Sequence, residues 1–294
     1  MNHDSVSPGH TSLAALNAVA GAAAFALTGA CIKAAAVSAG NEQIVFIRNA
    51  VSFAVLLPWA LRVGRSGLRT NRVGGHLWRA ALGVAAMYCF FYAIPRLPLA
   101  EAMLLNYASP LYLPFVAWLW IGEKPSATAL AAALTGVAGV ALIVRPGLAT
   151  EATPAAIIGG LSGLLAASAM VSIRRIADTE PTVRIVFYFA ACSTLLSLPA
   201  LLWAWKPLPA QAWFPLIGAG LTATLGQLAL TRAYGLAPAA RVGPYTYTCV
   251  LFSAAIGWWF WDESIDALSM LGGAIVIGSC ILASLRRYEP RLDE

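Results

Sequence analysis

Charge is scarce in this chain: 11% of its 294 residues are Asp, Glu, Lys or Arg, and only 13 are acidic. So few charged groups cannot clothe a water-facing surface, which excludes a soluble globular domain as the bulk of the molecule. Histidine is scarcer still. His3 and His10 lie in the N-terminal tail and His76 at the edge of an apolar stretch, so there is neither an HExxH zinc motif nor a membrane-embedded histidine triad. No pair of carboxylates occupies the middle of an apolar stretch, which removes an aspartyl site. Cys31, Cys89, Cys192, Cys249 and Cys280 all fall inside apolar stretches without CxxC spacing. They read as small apolar packing residues and imply neither a disulfide framework nor a metal site. Glycine-rich strings such as IIGGLSG lie within apolar runs and lack a Walker lysine or a preceding strand, so they are not phosphate loops. The expectation is a protein that is not an enzyme, with no catalytic residue, metal or cofactor.

What is abundant is apolar sequence: 60% of residues are hydrophobic and the mean hydropathy is +0.74. About 20 apolar residues cross a ~30 Å hydrocarbon core as a helix. Such stretches fall at 12–37, 44–62, 77–95, 98–121 and 126–144, and again at 155–173, 183–205, 211–233, 238–261 and 267–285. The N-terminal MNHDSVSPGHTS has no Lys or Arg and no cleavage-like pattern, which argues against a removable signal peptide. The net charge of +6 does not mark a nucleic-acid surface, because the basic residues are scattered among short connections. Their distribution sets orientation instead. With the N-terminus inside, 14 of the 19 basic residues fall on cytoplasmic segments, so the positive-inside rule predicts both termini in the cytoplasm of a multi-pass membrane protein.

The two halves echo each other. Ile44-Val45-Phe46 recurs as Ile185-Val186-Phe187, and Leu57-Pro58 as Leu198-Pro199, shifted by 141. Further along the shift is 140: Ala93, Pro98, Tyr107, Trp118 and Glu123 match Ala233, Pro238, Tyr247, Trp258 and Glu263. Five spans separate matching positions, and an odd number inverts the second copy, an arrangement associated with alternating access. The predicted fold is an all-α polytopic membrane protein of ten transmembrane helices, arranged as two inverted-topology five-helix repeats around a central cavity. Its parts are an N-terminal tail 1–11, a first repeat 12–146, a linker 147–153, a second repeat 154–287 and a C-terminal tail 288–294.

Proline inside a span removes a helix hydrogen bond and frees a carbonyl. Pro58 and Pro199 occupy equivalent repeat positions, as paired kinks or hinges; Pro110 and Pro114 sit among polar and aromatic residues of span four, where a broken helix exposes backbone to a solute. Asn106 and Tyr107 on span four, with Tyr245 and Thr248 on the repeat-equivalent span nine, would line a central cavity from opposite sides, and Tyr suits a partly apolar organic solute because its ring is flat and its tip hydrogen-bonds. Tyr88 on span three, Asn17 on span one and Gln227 on span eight add polar stripes. Each of these is equally at home in an ordinary interhelical hydrogen bond; their convergence is what suggests a substrate site. Arg48, one turn into span two, and Glu101, at the start of span four, read as an interfacial pair or a gate. Span centres carry almost no other charge, which argues against a proton relay through side chains and favours a facilitator or exchanger.

The run LPLAEAMLLNYASPLYLPFVAWLWIGEKPS (97–126), its weaker partner GLAPAARVGPYTYTCVLFSAAIGWWFWDES (235–264) and FIRNAVSF (46–53) resemble the EamA-type drug/metabolite transporters. The resemblance implies the ten-helix inverted-repeat fold, a central cavity and export of small metabolites. Through Asn106, Tyr107 and Pro110 the chain is similar to bacterial amino-acid exporters of the aromatic-amino-acid (YddG) type, which implies an amino acid or related metabolite as substrate. The expected partners are that small molecule and the lipid bilayer, with no nucleic acid, and the transporter is expected to act as a monomer.

Overall fold

The computed structural model describes residues 8–122, 127–144, 152–177, 179–236, 242 and 245–285. Every regular element among them is α-helical: α1 (Pro8–Ala35), α2 (Asn41–Leu68), α3 (Val73–Ala93), α4 (Leu99–Tyr107), α5 (Ser109–Ile121), α6 (Ala127–Val144), α7 (Ala152–Ala177), α8 (Thr182–Ala204), α9 (Ala210–Leu236), α10 (Thr248–Trp261) and α11 (Ala267–Leu285). Five of these, α1, α2, α7, α8 and α9, contain stretches long and apolar enough to cross a membrane, and α6, α10 and α11 hold shorter apolar segments.

Span four is two helices rather than one. Ala108 stays in the right-handed region with ψ opened to −2°, which interrupts the regular helix, and α5 restarts with Pro110 in its first turn. Proline has no N–H to donate backwards, so the break falls where a helix start tolerates it. The second span runs beyond its expected end at residue 62, through Gly64, whose φ of +64° is left-handed; only glycine adopts this without strain. Glu123, Arg241, Pro238 and Pro244, together with the tails 1–7 and 286–294 and most of the linker, lie outside the described residues.

Adjacent helices pair as α1 along α9, α3 along α7, α2 across α8 and α9, α3 on α8, and α6 along α11; α10 packs on α1 and α4, and α4 and α5 on α7. The core between them is aliphatic, with Ile32, Ile44, Ile94, Leu99, Met103, Leu105 and Leu111 almost fully buried. Small residues set the closest approaches. A methyl group on Gly220 of α9 would lie 2.4 Å from Cβ of Val51 on α2, so glycine is what lets those two backbones meet. The outward faces are apolar as well: Leu119, Trp203 and Phe214 are more than 80% exposed. Each would lose about 1.5–3 kcal/mol of burial free energy in water, which fits a bundle solvated by lipid.

Candidate functional site

The charged side chain deepest in the bundle is Arg48. It sits two turns into α2 and is only 6% exposed. Its Nη1 donates to Asn49 Oδ1 at 2.8 Å and lies 4.0 Å from the Met87 sulfur on α3, while its Nε is buried without a partner. Arg48 lines a small cavity between α2, α8 and α9, with Ser52, Leu56, Val186, Phe189, Ala190, Thr224 and Gln227. The cavity is small, about 10 Å³, roughly the room of one water molecule, and partly open to the outside. Its hydroxyls form a connected set: Thr224 Oγ1 lies 3.0 Å from Ser52 Oγ and 2.8 Å from the Gly220 carbonyl, to which Ser52 Oγ also donates at 3.3 Å. The arrangement offers a cation, hydroxyls, an amide and an aromatic face, which is the vocabulary of solute binding and not of covalent chemistry.

Two clusters tie the ends of the bundle. At the end bearing the α1–α2 turn, the Lys33 ammonium of α1 donates to Glu263 Oε1 and to the Leu97 carbonyl at 2.7 Å, and lies 5.8 Å from the Trp261 ring centroid. Glu263 Oε2 accepts the Leu99 backbone N–H at 2.7 Å, capping α4. The chain reverses at Asp262, with φ of 51°, and Gly257 leaves room for the returning carboxylate: a Cβ there would sit 2.3 Å from Glu263 Oε2. One ion pair thus joins α1, the start of α4 and the end of α10. At the opposite end, Glu180 in the α7–α8 turn accepts from Thr70 and, at 2.8 Å, from Arg184 Nη1, while Arg184 Nε donates to the Gly67 carbonyl and Tyr188 to the Leu68 carbonyl, both at 2.8 Å. Burial opposes the charge on Glu180, but the Thr70 hydroxyl and the Arg184 guanidinium outweigh it and hold the carboxyl below the usual carboxylate range.

The residues singled out in the sequence do not form one constellation. Gln227 and Arg48 share the α2–α8–α9 cavity. Asn106 and Tyr107 stand at a second junction: Asn106 Nδ2 donates to Ser162 Oγ on α7 at 3.0 Å, and Tyr107 engages Cys249 of α10. Tyr88 is half-buried on α3, with its hydroxyl buried and unpartnered. Asn17 donates to the Leu13 carbonyl of its own helix, and Thr248 to the Tyr245 carbonyl. Tyr245 is 41% exposed. Pro58 and Pro199 lie inside α2 and α8 on exposed faces, Pro110 opens α5, and Glu101 is half-buried in the first turn of α4. The interfacial pairing of Arg48 with Glu101 does not form; Arg48 turns to Asn49 and Met87, because α8 and α9 close over it and bury its side chain. Arg79 is likewise buried, with its guanidinium 4.2 Å from the Phe189 ring centroid. Arg79, Ser52, Phe189 and the Lys33–Glu263 pair carry no mark in the linear pattern that singles them out. The available signal was the helical spacing that sets Ser52 on the face of Arg48.

The EamA-like transporter family profile matches the chain twice, at residues 12–145 and 153–285. A pseudopaline exporter, CntI, of Pseudomonas aeruginosa is 34% identical over 271 residues, covering 92% of this chain and 95% of its own. A riboflavin transporter of Vibrio cholerae is 26% identical with 91% of each chain covered, and an S-adenosylmethionine uptake transporter of Rickettsia bellii is 23% identical with 80% of each covered. A solved crystal structure, 22% identical, superposes with a TM-score of 0.63 over 97% of this chain and the whole of that one, which establishes likeness of fold.

Proposed function

Given that the chain belongs to the EamA-like transporter family, a family of small-metabolite transporters, we propose that it exports amino acids, aromatic or other neutral ones, or similar small metabolites across the bacterial inner membrane by alternating access, as a facilitator or exchanger. The observation that carries this reading is the group of polar side chains Arg48, Ser52, Thr224 and Gln227, which gather around a small gap between α2, α8 and α9 inside an otherwise aliphatic bundle. The hydroxyls satisfy one another and the Gly220 carbonyl, but the buried Arg48 charge has no counter-ion among the described residues, which marks a functional position in a membrane bundle.

Several features support the mechanism. The contact of α1 with α9 has its counterpart in that of α7 with α3, and α2 with α9 in α8 with α3, which is the pattern two five-helix repeats related by an in-plane twofold would give. Movement of one repeat against the other would alternately loosen the Lys33–Glu263 cluster and the Glu180–Arg184 cluster. The Arg62, Arg69, Arg72 and Arg184 end is assigned to the cytoplasm by its excess of basic residues, and the Lys33–Glu263 end to the outside. Outward direction follows the 34% identical relative, which is an exporter.

The test is counterflow in proteoliposomes holding the purified full chain, with a panel of radiolabelled amino acids including aromatic ones, run with and without a pH gradient. Protein-dependent exchange of at least one member, insensitive to the gradient, is expected. An absence of flux across the panel refutes the amino-acid assignment, and flux that collapses without the gradient refutes the facilitator or exchanger mechanism.

A further inference from the structure

We infer that Arg48 is the docking point for a carboxylate, so that the solute taken by the α2–α8–α9 cavity carries a carboxyl group held in salt-bridge contact during its passage. The inference rests on the transporter reading above and names the chemistry of its cargo.

The argument begins with charge balance. A guanidinium cannot shed its proton at any physiological pH, so a buried arginine carries a full charge that must be compensated or paid for in desolvation. Among the described residues no carboxylate pairs with Arg48. Its neighbours are a neutral amide, Asn49, and a thioether, Met87, and its Nε has no acceptor at all. Where the bundle needs a buried cation neutralised for structural reasons it supplies a carboxylate, as Glu263 does for Lys33 and Glu180 for Arg184. Arg48 is left without one, yet it faces a cavity.

The gap beside Arg48 has room for one acceptor group and not for a whole solute, so a carboxylate would enter it while the rest of the solute lies outside or the helices part. Thr224 and Ser52 bring hydroxyls to the wall beside Arg48, and the Gln227 amide completes the polar side. Phe189 forms the apolar side, and its ring is also contacted by the guanidinium of Arg79, whose Nε and Nη1 are buried without partners. Arg79 thus stacks on the ring and Arg48 lines the same gap, with no carboxylate among the residues lining it, so the local potential is positive in a medium of low dielectric. The repeat itself marks the position: the 141-residue shift that relates Ile44 to Ile185 carries Arg48 onto Phe189, so the cation and the aromatic face are equivalent positions with opposite chemistry. A solute with one carboxylate and an apolar or aromatic body would find both. A guanidinium fork flanked by hydroxyls suits a single carboxylate.

The test compares matched compounds that differ only in the carboxyl group. Purified full-length protein in detergent is melted with phenylalanine, histidine, glutamate and N-acetylphenylalanine, and with the α-amide of each. The acids are expected to raise the melting temperature and the amides to leave it unchanged. Arg48→Gln should weaken the response to the acids by roughly tenfold to a hundredfold, the worth of a charge-assisted hydrogen bond, and Arg48→Lys should restore part of it. Thr224→Val and Gln227→Leu keep the cation and serve if Arg48→Gln is not monodisperse; each should weaken the acids roughly threefold to tenfold, the worth of a neutral hydrogen bond. Equal stabilisation by acids and amides, no stabilisation by any acid, or an undiminished response in a folded Arg48→Gln protein overturns the inference. A counterflow arm with the same compounds separates the two readings: amides carried as well as acids would leave a transporter without a carboxylate site, whereas no carriage and no binding of any compound would remove both.

Discussion

Breaking the Lys33–Glu263 pair should cost stability out of proportion to one hydrogen bond, and a double-mutant cycle can show why. The two side chains are 11% and 14% exposed, so each is largely shielded from water. Truncating one partner of a fully buried pair costs about 3–5 kcal/mol, chiefly by stranding the other charge, whereas an exposed pair is worth under about 1 kcal/mol. With both residues mostly buried but touching solvent, each of Lys33→Met and Glu263→Gln is expected to cost about 2–3 kcal/mol. Glu263→Gln can still accept the Leu99 N–H through its amide oxygen, so its loss isolates the charge from the cap. The double variant strands no charge and should cost only about 1–2 kcal/mol, giving a coupling of about 2–5 kcal/mol. Reversible unfolding in mixed micelles would measure all three variants, and a single-variant loss should lower the melting temperature by several degrees, at roughly 2–4 °C per kcal/mol for a chain of this order of size. Costs that add to within about 0.5 kcal/mol would show that the charges do not interact and would refute the reasoning.

Three further outcomes follow from the geometry. Gly220→Ala should destabilise the protein by about 1–3 kcal/mol, since its Cβ would meet Val51 at 2.4 Å and the Arg48 carbonyl at 3.1 Å; an unchanged melting temperature would show that the α2–α9 approach is loose. The lowered Glu180 carboxyl contributes stability that is fully present above its unfolded value near ~4.3 and is lost as pH falls through its lower folded value. Glu180→Gln should therefore flatten the acid limb of stability against pH below about pH 4, and an unaltered limb contradicts the assignment. Tyr107→Ala and Gln227→Ala should lower flux while leaving expression and monodispersity nearly intact; loss of folding would return both to a packing role.

Helix positions were readable because hydrophobic length is a local property: the stretch 12–37 became α1 and 183–205 became α8 within a few residues. Pro110 also flagged the interruption of span four, although the chain leaves the helix at Ala108. What local pattern could not supply was lateral packing. Arg48 lies only seven residues from the start of α2, and counting along one helix places it near the interface. Its burial arises from α8 and α9, distant in sequence, closing across it. The same limit hid Lys33 and Glu263, which meet across 230 positions.

The most direct test of the account is counterflow of labelled amino acids into proteoliposomes, comparing wild type with folded Arg48→Gln, since it asks at once whether the protein carries such solutes and whether the α2–α8–α9 cavity is the place they pass. The account predicts protein-dependent exchange that falls by roughly tenfold or more in the variant at limiting solute. Exchange of equal speed in both proteins, or none in either, would contradict it.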